Sequence, residues 1–338
     1  MRASVVVPAY NAADSLPRCL QALTGQRYPR SAYEIIVADD GSTDTTAQVA
    51  AQAGADRVLP CPHRGPAAAR NTGTDAARGE IILFTDADCE PEPDWLAEML
   101  RPFDDPRVVG VKGSYKTHQT EVMARLAQCE FEERYDLLAC LPAIDFIDTY
   151  AAAFRAAALR EIGGFDPAFP QANNEDVDLS YRLAERGHRL VFNRAAVVYH
   201  RHVARWWAYA RLKARRGYWR LMVYRLHPGK AVRDSYTPQV MKLQVLLVYL
   251  AAACGVAALF VPAVAWVGVL SLAGLALSGW RFLRLVRSTD RGVAAWAPVF
   301  LLVRALAFAV GGAAGVAGML FFRPTLDATG ADAQRELD

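Results

Sequence analysis

Two carboxylates one residue apart, Asp86 and Asp88, directly follow the apolar run Ile81-Ile82-Leu83-Phe84. At the end of a buried strand such a pair suits a divalent cation bound to a phosphate. Hard oxygen ligands and substrate phosphates complete the shell of such an ion together. A similar arrangement stands earlier, where Ile35-Ile36-Val37-Ala38 runs into Asp39-Asp40-Gly41-Ser42. Glu175-Asp176 comes later, at the start of a helical pattern. Taken in order, these acidic sites point to chemistry on a nucleotide diphosphate.

The surrounding elements must position them. Strand and helix patterns alternate through the first hundred residues: strands over Ser4–Val7, Glu34–Ala38, Arg57–Leu59 and Glu80–Phe84, and helices over Ala12–Thr24, Thr43–Ala53, Ala67–Ala77 and Pro93–Leu100. Such alternation predicts a mostly parallel sheet with helices on both faces. Ligands of these sheets bind beyond the carboxyl ends of the strands. Pro8–Asn11, Asp39–Ser42 and Asp86–Asp88 all lie at such ends. Further on, Val108–Tyr115, Tyr150–Arg155, Arg189–Phe192 and Ala196–Tyr199 read as strands, and Glu121–Leu138 and Asp176–Arg186 as helices.

The 338 residues are unevenly composed, and the net charge of +3 conceals it. Residues 201–233 hold ten Lys or Arg and no Asp or Glu. Residues 243–280 carry no charge, and residues 293–322 carry only Arg304. A helix over 243–280 would be about 57 Å long at roughly 1.5 Å per residue, too long for one membrane crossing of roughly 20 residues. It divides near Pro262. Three membrane spans are expected, at about 243–260, 263–280 and 295–320. The basic flanks, including Arg281, Arg284, Arg287 and Arg291, place the head and the hairpin loop on the cytoplasmic side. The acidic tail then lies outside. Met1 leads straight into a strand pattern, so no signal peptide is expected. The six Cys have no metal or disulfide spacing and read as reduced packing residues.

The motifs, in order, resemble glycosyltransferase family 2: Pro8-Ala9-Tyr10-Asn11, Asp39-Asp40-Gly41-Ser42-Thr43-Asp44, Ala69-Arg70-Asn71 with Gly73, Asp86-Ala87-Asp88, Gly163-Gly164-Phe165-Asp166, and Glu175-Asp176 with Asp178, Leu179 and Arg182. The resemblance covers residues 4 to about 200. It implies an α/β GT-A fold, a nucleotide-diphosphate sugar donor, a divalent metal (Mn²⁺ or Mg²⁺) and inversion at the anomeric carbon.

The resemblance also implies roles. Asp40 would accept N–H groups of the base, and Pro8 and Tyr10 would line it, with Asn11 in the same motif. Asp39 either joins that pocket or holds its loop in shape. Asp88 would bind metal, and Asp86 would contact the ribose or a metal-bound water. Arg70 would pair with phosphate, since a guanidinium offers a fork of donors; the alternative is a surface salt bridge. His200 is a further candidate ligand, and imidazole suits Mn²⁺ better than Mg²⁺. Asp176 would be the general base that deprotonates the acceptor hydroxyl, with Glu175 setting its position or charge.

The chain therefore divides into a nucleotide-sugar half (1–115), an acceptor and catalytic half (116–200), basic-aromatic interface helices (201–242), membrane helices (243–322) and a tail (323–338). Trp206, Trp207, Tyr209, Tyr218, Trp219 and Tyr224 among the basic residues suit a membrane surface and, with spans following, not a nucleic acid. The expectation is a multi-pass inner-membrane enzyme that transfers one sugar from a nucleotide-diphosphate sugar, with UDP favoured, to a polyprenyl phosphate or diphosphate acceptor. A processive polysaccharide synthase is the alternative. His202-Val203-Ala204-Arg205-Trp206 lacks the Gln of the Gln-x-x-Arg-Trp motif in processive members. Arg304, inside a span, would face protein or a polar ligand such as a lipid phosphate. Gly311, Gly312, Gly315 and Gly318 have helix-packing spacing and would meet the hairpin or a second protomer.

Overall fold

The computed structural model describes residues 1–169, 174–232, 234–235 and 237–321. The tail at 323–338 lies outside them. In chain order the elements of the first 200 residues are β1 (Ala3–Ala9), α1 (Leu16–Thr24), β2 (Tyr33–Asp39), α2 (Thr46–Gln52), β3 (Arg57–Pro60), α3 (Pro66–Ala76), β4 (Ile81–Phe84), β5 (Glu90–Pro91), α4 (Trp95–Leu100), β6 (Val108–Lys116), α5 (Val122–Ala139), β7 (Ala152–Arg155), α6 (Ala156–Glu161), α7 (Glu175–Glu185) and β8 (Arg189–Tyr199). The chain forms two compact units. Met1–Ser114 with Ala143–Tyr199 makes the first, and Tyr115–Pro142 with His200–Gly318 the second.

The first unit is built on a mixed sheet of order β3-β2-β1-β4-β7-β6-β8-β5. The expected parallel pairing holds from β3 through β4. Beyond β4 the pairing turns antiparallel, at β4 with β7 and at β6 with β7. Successive residues of β1, β2 and β4 are buried alike, as when helices cover both faces of a sheet. Two polar residues inside this core satisfy each other. Ser4 Oγ donates to Glu34 Oε1 at 2.6 Å, and Gly79 N–H donates to Ser4 Oγ at 2.8 Å.

Several boundaries differ from the sequence expectation for traceable reasons. The loop after β1 and the loop after β2 bond to each other and delay both helices. Ala12 N–H donates to Thr46 Oγ1, Ala13 N–H to Asp44 Oδ2, and Thr43 N–H to Asn11 Oδ1. Ala12, Ala13 and Thr43 thus spend their N–H groups across the gap, and α1 and α2 start at Leu16 and Thr46 instead of Ala12 and Thr43. The two strands expected over 189–199 are one strand, β8. Its polar middle stays tied in, with Arg194 O accepting from Ser114 Oγ and Asn193 Nδ2 donating to Glu98 O.

The second unit is helical. After α5 it contains α8 (Trp206–Leu226), α9 (Pro228–Val232), α10 (Gln239–Ala257), α11 (Ala265–Ser278), α12 (Trp280–Thr289) and α13 (Ala297–Phe321). Three segments are long and apolar enough to cross a membrane: Gln239–Ala257, Pro262–Thr289 and Arg291–Met319. The basic stretch expected as a hairpin loop is helical, as α12. Phe282 and Val286, four apart, bury one face of it against Phe300 and Leu301, and Arg281, Arg284 and Arg287 occupy the remainder.

Small residues let α8 and α13 approach closely. A Cβ on Gly311 would meet the Ala214 backbone, one on Gly315 would lie 3.2 Å from Tyr218 O, and one on Gly217 would lie 3.0 Å from Phe308 O. Of the glycine face expected against the hairpin or a second protomer, Gly312 meets Tyr249 of α10, in the hairpin, while Gly311 and Gly315 meet α8. Arg304 is buried and faces protein. Its Nη2 donates to Gln244 Oε1 at 3.1 Å, and its Nη1 lies 3.7 Å from Glu130 Oε1. Lys213 Nζ and Tyr209 Oη share Glu130 at 2.8 Å each. Burial alone would raise the Glu130 carboxyl, but Lys213, Arg304 and Arg134 together hold it well below the carboxylate range. Burial pushes Lys213 down to about 7.

Candidate active site

Parallel pairing aligns the carboxyl ends of β1, β2 and β4, so Tyr10–Asn11, Asp39–Ser42 and Asp86–Asp88 leave the sheet on one edge. Asn11 adopts φ 47, a left-handed conformation that Asn tolerates. That turn lets its side chain accept Thr43 N–H at 2.9 Å while its own N–H donates to Ser42 Oγ at 2.9 Å. Asp39 accepts from Ser42 N–H at 3.1 Å and from the Ser42 hydroxyl. Of the two readings left open for Asp39, the loop-shaping one is visible in these bonds.

Asp40 is engaged more heavily than its motif suggested. It is buried, and its oxygens accept Arg64 N–H at 2.9 Å and Gly65 N–H at 3.0 Å. His63 Nδ1 adds a contact at 2.9 Å. Tyr10 is exposed and stacks on the His63 ring, with centroids 4.2 Å apart and planes inclined by 21°. Pro8 lies half-buried near the end of β1. The sequence reading passed over His63, because no periodicity or spacing signals a contact between residues 10 and 63.

Arg70 joins the loop after β4 to the start of α7. Its Nη2 donates to Asp86 Oδ1 at 3.0 Å and its Nη1 to Glu175 Oε1 at 2.7 Å. The guanidinium is almost fully buried and sits over the Phe165 ring at 5.6 Å. The salt bridge expected at the surface is instead formed by a buried guanidinium, with Glu175 buried and Asp86 half-buried. Burial opposes the charge of Arg70, but Asp86 and Glu175 outweigh it and hold the group protonated. Glu175 is pushed up to about 7 by burial first and then by the neighbouring Asp176, with Arg70 opposing.

The remaining motif residues clamp this bridge in place. Asn71 Nδ2 donates to Phe165 O at 2.8 Å, and Phe165 N–H returns a bond to Asn71 Oδ1 at 2.9 Å. Gly164 has φ +73, and a Cβ there would lie 2.5 Å from Asn71 Oδ1, so the position requires glycine on both counts. Arg182 donates to Ile162 O, Gly164 O and Asp178 Oδ2 at 2.8–2.9 Å. These bonds fix α7 beneath Glu175 and Asp176. The three acidic residues of its first turn, Glu175, Asp176 and Asp178, also complement the helix dipole. Asp176 is half-buried, and its carbonyl accepts Ser180 Oγ–H at 2.7 Å. Ile147 N–H reaches the same hydroxyl at 3.0 Å.

Asp88 is exposed at the end of the β4 loop. The donor set there, Asp88 with Asp86 two positions before it, consists of carboxylate oxygens and fits a hard divalent cation. In the second unit His200 Nδ1 lies 3.0 Å from Tyr115 Oη, and His200 N–H donates to Lys116 O. His202 is buried there, with its Nε2 3.0 Å from Gln128 Oε1. All six cysteines are free thiols.

Known proteins resemble this chain in sequence and in fold. The Glycosyl transferase family 2 profile matches residues 4–163. The pre-mycofactocin glycosyltransferase of Mycobacterium tuberculosis is 34% identical over 211 residues, which cover 59% of this chain and 42% of that protein. Glycosyltransferase AglE of Haloferax volcanii is 41% identical over 98 residues, or 28% of this chain and 32% of that one. The chain thus spans less than half the length of these relatives. Among solved structures, the mannosyltransferase PcManGT from Pyrobaculum calidifontis, in complex with GDP-Man and Mn2+, is 23% identical with a TM-score of 0.62, covering 93% of this chain and 87% of that chain. That likeness is one of fold. The chain carries a glycosyltransferase family 2 domain of GT-A fold, joined to a helical region with three candidate membrane spans.

Proposed function

We propose that the protein moves one sugar, with inversion, from a nucleotide-diphosphate sugar to a lipid-linked acceptor at the cytoplasmic face of the inner membrane. The observation that carries this reading is the Arg70 bridge. One buried guanidinium holds Asp86, on the phosphate side, and Glu175, beside the proposed base Asp176. The two halves of a transfer reaction are thereby held on one rigid support.

In this reading Asp88 holds a divalent cation, Mn²⁺ or Mg²⁺. When bound, the cation neutralises the diphosphate as a Lewis acid. Asp86 faces the ribose or a metal-bound water, and Arg70 keeps it oriented. Pro8, Tyr10, Asn11, Asp39 and Asp40 form the base side, and a UDP-sugar is the favoured donor. Asp176 takes the proton of the acceptor hydroxyl, because a carboxylate near the start of a helix and only half-buried is open to substrate. With its carboxyl pushed up to about 7, Glu175 puts only part of a second negative charge beside Asp176.

The candidate spans and the basic-aromatic α8 support a polyprenyl phosphate or diphosphate acceptor. Their flanking Lys and Arg support the cytoplasmic orientation. Purified full-length protein in lipid, supplied with labelled nucleotide sugar, tests both ideas. Transfer to a polyprenyl-linked acceptor with one sugar added is expected. Transfer confined to soluble acceptors would sink the acceptor assignment, and long products would favour a processive synthase.

A further inference from the structure

Helix α12 lies where one candidate span ends and the next begins, at the end of Pro262–Thr289 and before Arg291–Met319. One face of it is fixed to protein. Phe282 and Val286 share a core cluster with Met123, Leu126 and Ala127 of α5 and with Phe300 of α13. A Cβ on Gly279 would meet Leu301, so the turn from α11 into α12 is also held against α13. At the far end Asp290 accepts Arg125 Nε–H at 2.7 Å and Gly292 N–H at 3.1 Å. The helix is anchored along its length, which sets the direction of its outer face.

At about 100° per residue, Arg284 lies directly opposite the midpoint of Phe282 and Val286, with Arg281 and Arg287 about 60° to either side of it. All three are exposed, as is Arg291 just beyond the helix. Among the described residues no carboxylate forms an ion pair with Arg284, Arg287 or Arg291. Asp290, the only acid from 265 to 321, is spent on Arg125 and Gly292. A face that meets only water ordinarily mixes both signs, whereas this one carries a single sign. Trp280 and Trp296 flank it, 53% and 49% exposed, and the Arg284 guanidinium lies over the Trp280 ring at 4.7 Å. Tryptophan beside arginine is the composition of a membrane–water boundary.

We infer that the outer face of α12 is a binding surface for anionic phospholipid headgroups. Arg284, Arg287 and Arg291 meet lipid phosphates, since a guanidinium presents a fork of donors that matches phosphate oxygens. Trp280 and Trp296 fix the depth of the helix in the boundary. Nucleic acid or an acidic protein would meet the same charges, but the adjoining apolar segments bring lipid to this face. The surface therefore selects which lipids surround the protein, beyond setting its orientation. This inference rests on the membrane placement proposed above, and not on the sugar donor or the acceptor.

The test places the full-length protein in nanodiscs of phosphatidylcholine alone, and of phosphatidylcholine with phosphatidylglycerol in equal parts. It compares wild type with Arg284→Gln/Arg287→Gln/Arg291→Gln and with Arg284→Lys/Arg287→Lys/Arg291→Lys. Arg281 is retained in both, because its charge also acts on Glu133. The readouts are the apparent melting temperature and the ratio of the two lipids that stay bound on extraction into mild detergent. Wild type should melt higher with phosphatidylglycerol, by mass action on the folded state, and should retain that lipid in excess, by about 5-fold for each arginine. The excess should shrink as salt rises. The Gln variant should lose both the shift and the excess, and the Lys variant should keep most of each because its charge remains. The inference is overturned if wild type shows no preference or if the Gln variant keeps it. It is also overturned if inorganic phosphate or a short DNA duplex, added to phosphatidylcholine discs, raises the melting temperature as much. Protein that enters no bilayer would instead overturn the membrane placement itself.

Discussion

Arg70 Nη1 lies 2.7 Å from Glu175 Oε1, both side chains are 3% exposed, and 105 positions separate them in the chain. Replacing one partner of such a pair leaves buried charge uncompensated, which costs about 3–5 kcal/mol. Arg70→Ala should therefore lower the apparent melting temperature strongly and abolish transfer. Glu175→Gln should be milder, because burial already favours the neutral form.

The same pair makes stability depend on pH. Folding holds Glu175 at about 7, above the ordinary 4.5 of a glutamate. A raised carboxyl favours the folded state most when protonated. Its contribution is full below about 4.5 and is lost as pH rises through about 7. Melting temperature measured from pH 5 to pH 8 should fall across this window in wild type. The slope should flatten in Glu175→Gln, and an unchanged slope would remove Glu175 as its source.

Asp88→Asn should lose the metal-dependent part of nucleotide stabilisation. In a thermal-shift series with UDP, GDP, Mn²⁺ and Mg²⁺, wild type should gain stability from nucleotide and metal together, by mass action on the folded state. The variant should keep only the nucleotide's own shift. Full stabilisation and turnover in Asp88→Asn would contradict the metal assignment.

Asp176→Asn should separate binding from chemistry. An amide cannot accept the acceptor proton, and loss of a general base lowers rate by about 10²- to 10⁴-fold. Donor affinity should stay near wild type, since Asp176 is placed on the acceptor side. A parallel loss of donor affinity would point instead to a structural part in starting α7.

Two glycines should respond differently. A Cβ on Gly79 would meet the Ala3 carbonyl carbon and lie 2.5 Å from Ser4 N, so backbone of β1 must move. Gly79→Ala should cost about 1–3 kcal/mol, as overpacking does. Gly163 has φ +77 with nothing within 4 Å of its Cβ, so Gly163→Ala should cost only its left-handed conformation, about 1–2 kcal/mol. Thermal melts of the two variants check the order.

In the helical unit, Glu130 balances Lys213, Arg304 and Tyr209. Glu130→Ala should be more destabilising than Lys213→Met, because losing the one shared carboxylate strands several buried cations, whereas losing one cation leaves others. Detergent-solubilised melting curves measure the difference.

The sequence by itself determined the family motifs, the alternating elements of the first hundred residues and the apolar spans. These are local signals: β-branched runs ended by acidic turns, glycines where the backbone turns left-handed, and uncharged stretches long enough for lipid. It also brought Asp86, Asp88, Glu175 and Asp176 forward as candidate site residues. Only the tertiary structure decided what those residues touch. Arg70 became the buried link between Asp86 and Glu175 because packing brought α3, the β4 loop and α7 together. Asp40 turned inward because the loop at 63–65 supplied its donors. Helices α1 and α2 start late because their first N–H groups found partners across a gap of about 30 positions. Arg304 was legible as a costly charge in a span, but its partners Glu130 and Gln244 lie on other helices. Hydrogen bonds and ion pairs are set by distance in space, and no periodicity along one chain records which distant groups will meet.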